Sequence, residues 1–124
     1  MKKNSPLELA RMAGRLALEK KGFDVRILKL KELSSVCDYF LIVSGEADLH
    51  VKAIAESVVE GLKKAGERPM HVEGMVEGNW VLLDYIDVIV HVFREPTRQF
   101  YTLERLWGDA PIEELADEVL QVNR

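Results

Sequence analysis

One stretch narrows the folds open to this chain more than any other: DYFLIVSG, Asp38 to Gly45. It is almost continuously apolar, the pattern of a central strand buried on both faces. Directly after it, Val51, Ile54, Ala55, Val58, Val59 and Leu62 fall at i, i+3, i+4, i+7, i+8 and i+11. That spacing predicts a helix, with Gly66 placed to end it. The strand–helix–strand unit over residues 40–75 implies a parallel pair with a right-handed crossover.

The flanking segments extend this pattern. SPLE opens a first helix, with Ser5 as cap, Pro6 in the first turn and Glu8 completing a capping box. Leu9, Met12, Ala13, Leu16 and Ala17 form its apolar stripe, and Gly22 is placed to stop it. DVRILKL, Asp24 to Leu30, alternates well enough to be a strand. MHVEG reads as a short strand, and WVLLDY and DVIVHVF as a hairpin, ended by Pro96. On its second arm Ile89, His91 and Phe93 share one face. TRQFYTLERLW reads as helix, and Pro111 as the start of a helical tail over 111–122. The expected architecture is a single α/β domain over 1–124, with its core at about 5–107. It has a mixed five-stranded sheet and helices mainly on one face.

Composition limits the function classes. With 48% hydrophobic and 31% charged residues the chain can bury a real core. A net charge of -4 argues against a phosphate-backbone binder and fits a basic protein as partner. The single Cys37 suggests a reducing compartment. Neither a signal peptide nor a stretch of about 18 uncharged apolar residues is present, so no membrane role and a cytoplasmic location are expected.

Most catalytic chemistries find poor support. The histidines, His50, His71 and His91, fall on different elements, and neither HxxxH nor CxxC occurs. Ser44 lies in VSG rather than GxSxG, and Cys37 has no evident base. SGEADLH joins a strand to a helix, where free N–H groups can hold an anion. Glu46 and Asp48 would repel one there, and Asp48 reads better as a helix cap. Two-metal chemistry needs acids converging on one point, yet Asp84 and Asp87 are three apart and flank a turn. They read as brackets of the hairpin. No cofactor or metal is expected. What remains is a protein-binding surface around Trp80, Leu82 and Tyr85, with Glu73, Glu77, Asp84 and Asp87 as an acidic rim. From periodicity alone, Trp80 could equally pack in the core.

DYFLIVSG, HVKAIAESV, VEG, WVLLDYIDVIVHVF and RQFYTLERLW run in this order over most of the chain. Together they resemble the Iojap family, the bacterial ribosomal silencing factors, over roughly residues 7–107. The resemblance implies a ribosome-associated protein and not an enzyme. It implies a fold similar to nucleotidyltransferases without their catalytic acids. Family members bind the basic large-subunit ribosomal protein L-fourteen and obstruct joining of the small subunit. On this resemblance Trp80, Glu73, Gly74, Asp84 and Asp87 match the family's partner-side motifs. Arg98, Tyr101, Leu103, Glu104, Leu106 and Trp107 match a helical segment read as packing on the sheet. Glycine is common in the family where this chain has Ile86, and a β-branched residue resists the positive φ that glycine permits. Two other readings stay open: an altered nucleotidyltransferase that still binds a nucleotide, and a homodimer of the free protein pairing through its Trp80 face.

Overall fold

The computed structural model describes residues 4–116. Helix α1 (Pro6–Glu19) opens with the expected capping box. The Ser5 hydroxyl accepts from the Glu8 N–H and the Glu8 carboxylate accepts from the Ser5 N–H. At its other end Lys21, rather than Gly22, takes the left-handed conformation, with φ 68°. Helix α2 (Asp48–Lys64) ends as expected at Gly66, whose φ of +88° suits a residue without Cβ. The N–H groups of Gly66 and Glu67 then close onto the carbonyls of Lys63 and Leu62. Asp48 is not the cap expected of it. It is the first helical residue, and its carboxylate accepts from the N–H of Leu49.

The strands are β1 (Phe23–Lys29), β2 (Tyr39–Gly45), β3 (His71–Glu73), β4 (Trp80–Asp84), β5 (Val88–Arg94) and β6 (Ile112–Leu115). They form one mixed sheet in the order β3-β4-β5-β2-β1-β6. The sheet thus has six strands rather than five. The sixth comes from the segment expected to begin a helical tail, and residues 117–122 of that tail lie outside the described residues. Ile112 to Leu115 pair antiparallel with Leu28 to Val25. Ladder bonds and ion pairs from Glu113 to Arg11 and from Glu114 to Arg26 outweigh the weak helical pattern of this stretch.

The parallel pair exists, but its members are β2 and β5. β3 runs in the same direction as β2, yet sits at the far edge, antiparallel to β4. With only three residues, all exposed, it cannot serve as an interior strand. The α1 and α2 helices cover one face of the sheet, burying Ile27, Leu41, Val43, Val81, Leu83 and Val90 beneath them.

The opposite face is covered only in part. The helix expected over 97–107 is two short ones, α3 (Glu95–Tyr101) and α4 (Leu103–Leu106). Thr102 breaks them apart, with φ 45° in the left-handed region. Together they cap a second, smaller apolar cluster around Leu28, Leu30, Ile42 and Phe93.

Candidate functional site

The side chains of a strand alternate between faces, and β4 divides its residues accordingly. Val81 and Leu83 enter the core under the helices, and Tyr85, just past the strand, follows them at 7% exposure. Trp80, Leu82 and Asp84 point to the other face and are half-buried. The expected partner surface therefore loses Tyr85, because a two-residue period carries it to the wrong side of the sheet.

Trp80 is half-buried, neither enclosed in the core nor fully exposed. Its ring stacks on Phe93, its cross-strand neighbour, at a centroid distance of 4.8 Å, and it meets Tyr101 of α3 at 4.8 Å. Its Nε1 donates to Nδ1 of His91 at 3.1 Å. His91 is 4% exposed, and burial pushes its pKa down to about 4. It stays neutral at physiological pH and packs beside Phe40 at 4.5 Å. Leu82 lies opposite His91, Asp84 opposite Ile89, and Phe40 beside Ile89. The half-buried Trp80, Leu82, Ile89 and Phe40 thus form an apolar strip on the open side of the sheet. Phe100 and Tyr101 extend it outward at 80% and 50% exposure. The sequence pattern had placed Ile89, His91 and Phe93 on one face; it gave no signal that Phe40 and Phe100 would join them.

The acids fall unevenly around this strip. Glu73 lies opposite Leu82 on β3 and pairs with the imidazole of His71 at 3.0 Å, both well exposed. Asp84 spends one oxygen on the N–H of Ile86 at 2.8 Å, which stabilises the turn. Asp87 is exposed at that turn, and its carbonyl accepts from the N–H groups of Asp38 and Tyr39. Glu77 departs from the group and lines a depression with Glu46, Asp48, Asn79 and Arg94. Gly74 is half-exposed and has a conformational part to play. At φ +87° it approaches the Trp80 carbonyl so closely that any Cβ would overlap the oxygen, so it sets the path of the chain beside Trp80.

The α3–α4 segment is held by one buried cation. Arg98, 6% exposed, donates to the Asp24 carbonyl and the Ser44 hydroxyl, both at 2.7 Å, and to the carboxylate of Glu104. Burial raises the pKa of Glu104, but the hydrogen bond and charge of Arg98, helped by Arg26, outweigh it and hold the carboxyl below its usual range. This pairing positions Tyr101 and Trp107 against the sheet. Trp107 meets Phe40 edge-on at 6.2 Å.

The candidates for catalysis do not converge. Ser44 is fully buried and accepts from Arg98. Cys37 is buried, and desolvation pushes its thiol up to about 11, far from a reactive thiolate. His50 uses both ring nitrogens on the backbone of Glu46 and Lys20. Among the described residues, acids, histidines and the cysteine form no group able to hold a metal. No helix among them is long and apolar enough to cross a membrane.

This arrangement has clear relatives. The family described as "Ribosomal silencing factor during starvation" (RsfS) matches residues 3–124. The ribosomal silencing factor RsfS of Bacillus subtilis is 42% identical over 97 residues, covering 78% of this chain and 82% of the relative. That of Halalkalibacterium halodurans is 40% identical over 108 residues, covering 87% and 92%. A crystal structure of a protein from Chromobacterium violaceum superposes with a TM-score of 0.82 at 35% identity, covering 85% of this chain and 88% of the other.

Proposed function

This chain belongs to the ribosomal silencing factor family, and we propose that it represses translation by binding the large ribosomal subunit through the Trp80 face of its sheet. Bound there, it stands in the way of the small subunit. The partner on this reading is the basic ribosomal protein L-fourteen, and no catalysis is involved. One observation carries the proposal: an apolar strip of Trp80, Leu82, Ile89 and Phe40, left open on the sheet face opposite α1 and α2. Contiguous apolar surface edged by charge is the usual form of an interaction site. Trp80 supplies the aromatic anchor, and Glu73, Asp84 and Asp87 supply negative charge that complements a basic partner.

The reading as an altered nucleotidyltransferase has less support. Asp84 already serves the turn through Ile86, and Asp87 lies beyond the strand rather than beside it. The steric reading is tested by adding the protein to purified large subunits and following subunit joining by light scattering. Joining should fall in proportion to site occupancy, and pre-joined ribosomes should resist. Normal joining by large subunits saturated with the protein would rule the steric mechanism out.

A further inference from the structure

The apolar strip does not stop at the edge of the sheet. At the end away from the β4–β5 turn, Trp80 and Tyr101 line a notch of about 420 Å³, together with Phe100, Pro96, Asn79 and Arg94. We propose that this notch is a second part of the partner surface, a proposal that rests on the reading of the Trp80 face given above. It takes an apolar side chain from a basic polypeptide segment. Phe100 is its anchor, and the acids beside it, Glu46, Asp48 and Glu77, meet the positive charge of that segment.

The aromatic rings carry the first half of this. Among the described residues Phe100 and Tyr101 are the only exposed aromatic side chains, and they are adjacent. They end a chain of rings that starts in the core. Phe93 meets Trp80 at 4.8 Å, Trp80 meets Tyr101 at 4.8 Å, and Tyr101 meets Phe100 edge-on at 5.1 Å. Each ring but the last is at least partly covered. The helix beneath is fixed, because the buried Arg98 ties it to the Asp24 carbonyl and the Ser44 hydroxyl. A large ring on a fixed base loses little freedom when a partner covers it, and it removes much apolar surface from water. Exposed apolar surface next to a half-buried tryptophan marks an interaction site.

The charge beside the notch selects the partner. Asn79 and Arg94 line the notch and also line the depression that holds Glu46, Asp48 and Glu77. The two hollows therefore share a wall. All three acids are exposed, and among the described residues none forms an ion pair. Arg94 is the one cation on the shared wall, and its Nε donates to Asn79 Oδ1 at 2.9 Å. Three carboxylates against one guanidinium leave this border negative. It attracts lysine and arginine and repels a phosphate backbone. An RNA base could stack on Phe100, but its phosphates would face the acids, so a polypeptide is the better fit. Glu77, which lies apart from Glu73, Asp84 and Asp87, has its place on this border.

Co-sedimentation of the full chain with purified large subunits, at low and at high salt, tests this alongside thermal melts of each free variant. Phe100→Ala should weaken binding about ten-fold. Its thermal midpoint should match that of the wild type, because the ring is 80% exposed. Phe100→Tyr should bind as the wild type does. The double variant Glu46→Lys with Glu77→Lys should weaken binding at low salt and differ little at high salt. Trp80→Ala serves as the reference. If Trp80→Ala weakens binding while Phe100→Ala and the double variant bind normally, the notch lies outside the interface. The proposal is then overturned and the Trp80 face stands. If neither Trp80→Ala nor Phe100→Ala weakens binding, both fall. Tighter binding by the double-lysine variant would show that this end faces phosphate, which would rule out the basic polypeptide.

Discussion

The indole nitrogen of Trp80 is bonded to Nδ1 of His91 at 3.1 Å, across the β4–β5 ladder. The bond requires an unprotonated Nδ1, which leaves the proton of the neutral imidazole on Nε2, where it finds no acceptor. Trp80 thus directs its only hydrogen-bond donor inward and presents ring surface outward. A partner at this face meets an apolar anchor rather than a polar one.

The Trp80→Ala variant should lose about 2 kcal/mol or more of affinity for large subunits, the size of an interface hot spot. Because the ring also rests on Phe93 and Tyr101, some stability should go with it. Trp80→Phe separates the two effects, since it keeps most of the packing and gives up the bond to His91. Co-sedimentation and thermal melts of both variants check this. Full affinity in the alanine variant would remove Trp80 from the binding surface.

Acid should weaken the fold through His91. The imidazole takes up a proton near 6.5 when unfolded but only near 4 when folded, because burial disfavours its charged form. In that window the folded state binds fewer protons, so stability falls as the pH drops from 6.5 towards 4 and is unaffected by this group above it. The loss should approach about 3 kcal/mol at the acid end. Urea unfolding of the wild type and of His91→Phe, compared by slope against pH, measures it. Parallel slopes would refute the assignment.

Ile86 should be a stabilising site. Its φ of 75° is costly for a β-branched residue, and its side chain is 59% exposed, so little packing compensates. Ile86→Gly should gain about 1 kcal/mol after the added freedom of the unfolded chain is subtracted. The gain reads out as a raised thermal midpoint, and a lowered one would show that the isoleucine side chain matters to the turn.

Glu104→Ala should be the most damaging of these substitutions. It leaves Arg98 charged and buried without its carboxylate, a loss of about 3 kcal/mol or more. The double variant Arg98→Met with Glu104→Leu should recover much of that, because no lone charge remains. Denaturant midpoints of the single and double variants decide the matter. If the double variant is no better than the single, the buried charge is not the cause.

Reversing Asp87 to Lys should slow association with the large subunit and flatten its dependence on salt. The residue is exposed at the turn, and peripheral charge acts chiefly on encounter. Stopped-flow rates at low salt would be unchanged if Asp87 lies outside the encounter surface.

The parts of the fold written in local patterns were legible. The capping box at Ser5, the apolar stripe from Val51 to Leu62 and the unbroken run at Tyr39–Gly45 each report their own burial. What depended on distant partners was not. Ile112–Leu115 is a strand because β1 offers it an edge, and a strand of four residues has too little pattern to announce that. The break at Thr102 is enforced by Arg98 and Glu104, which must converge from two sides of it. At the candidate site, alternation correctly gathers Trp80, Leu82 and Asp84 and would also have removed Tyr85 had it been carried one residue further. Phe40 joins them only through the pairing of β2 with β5, which no local pattern states.

The strand order has a consequence for how the chain is made. β1 lies beside the edge strand β6, whose residues follow its own by more than eighty positions. During synthesis the ladder groups of β1 on that side stay open until Ile112 to Leu115 emerge, while every other strand already has its neighbours. An unpaired edge is a template for joining another chain. Nascent or truncated forms ending before Ile112 therefore present the seven-residue β1 as an edge, where the finished molecule presents a four-residue strand carrying the ion-paired Glu113 and Glu114, a shorter and more charged edge that is a poorer template.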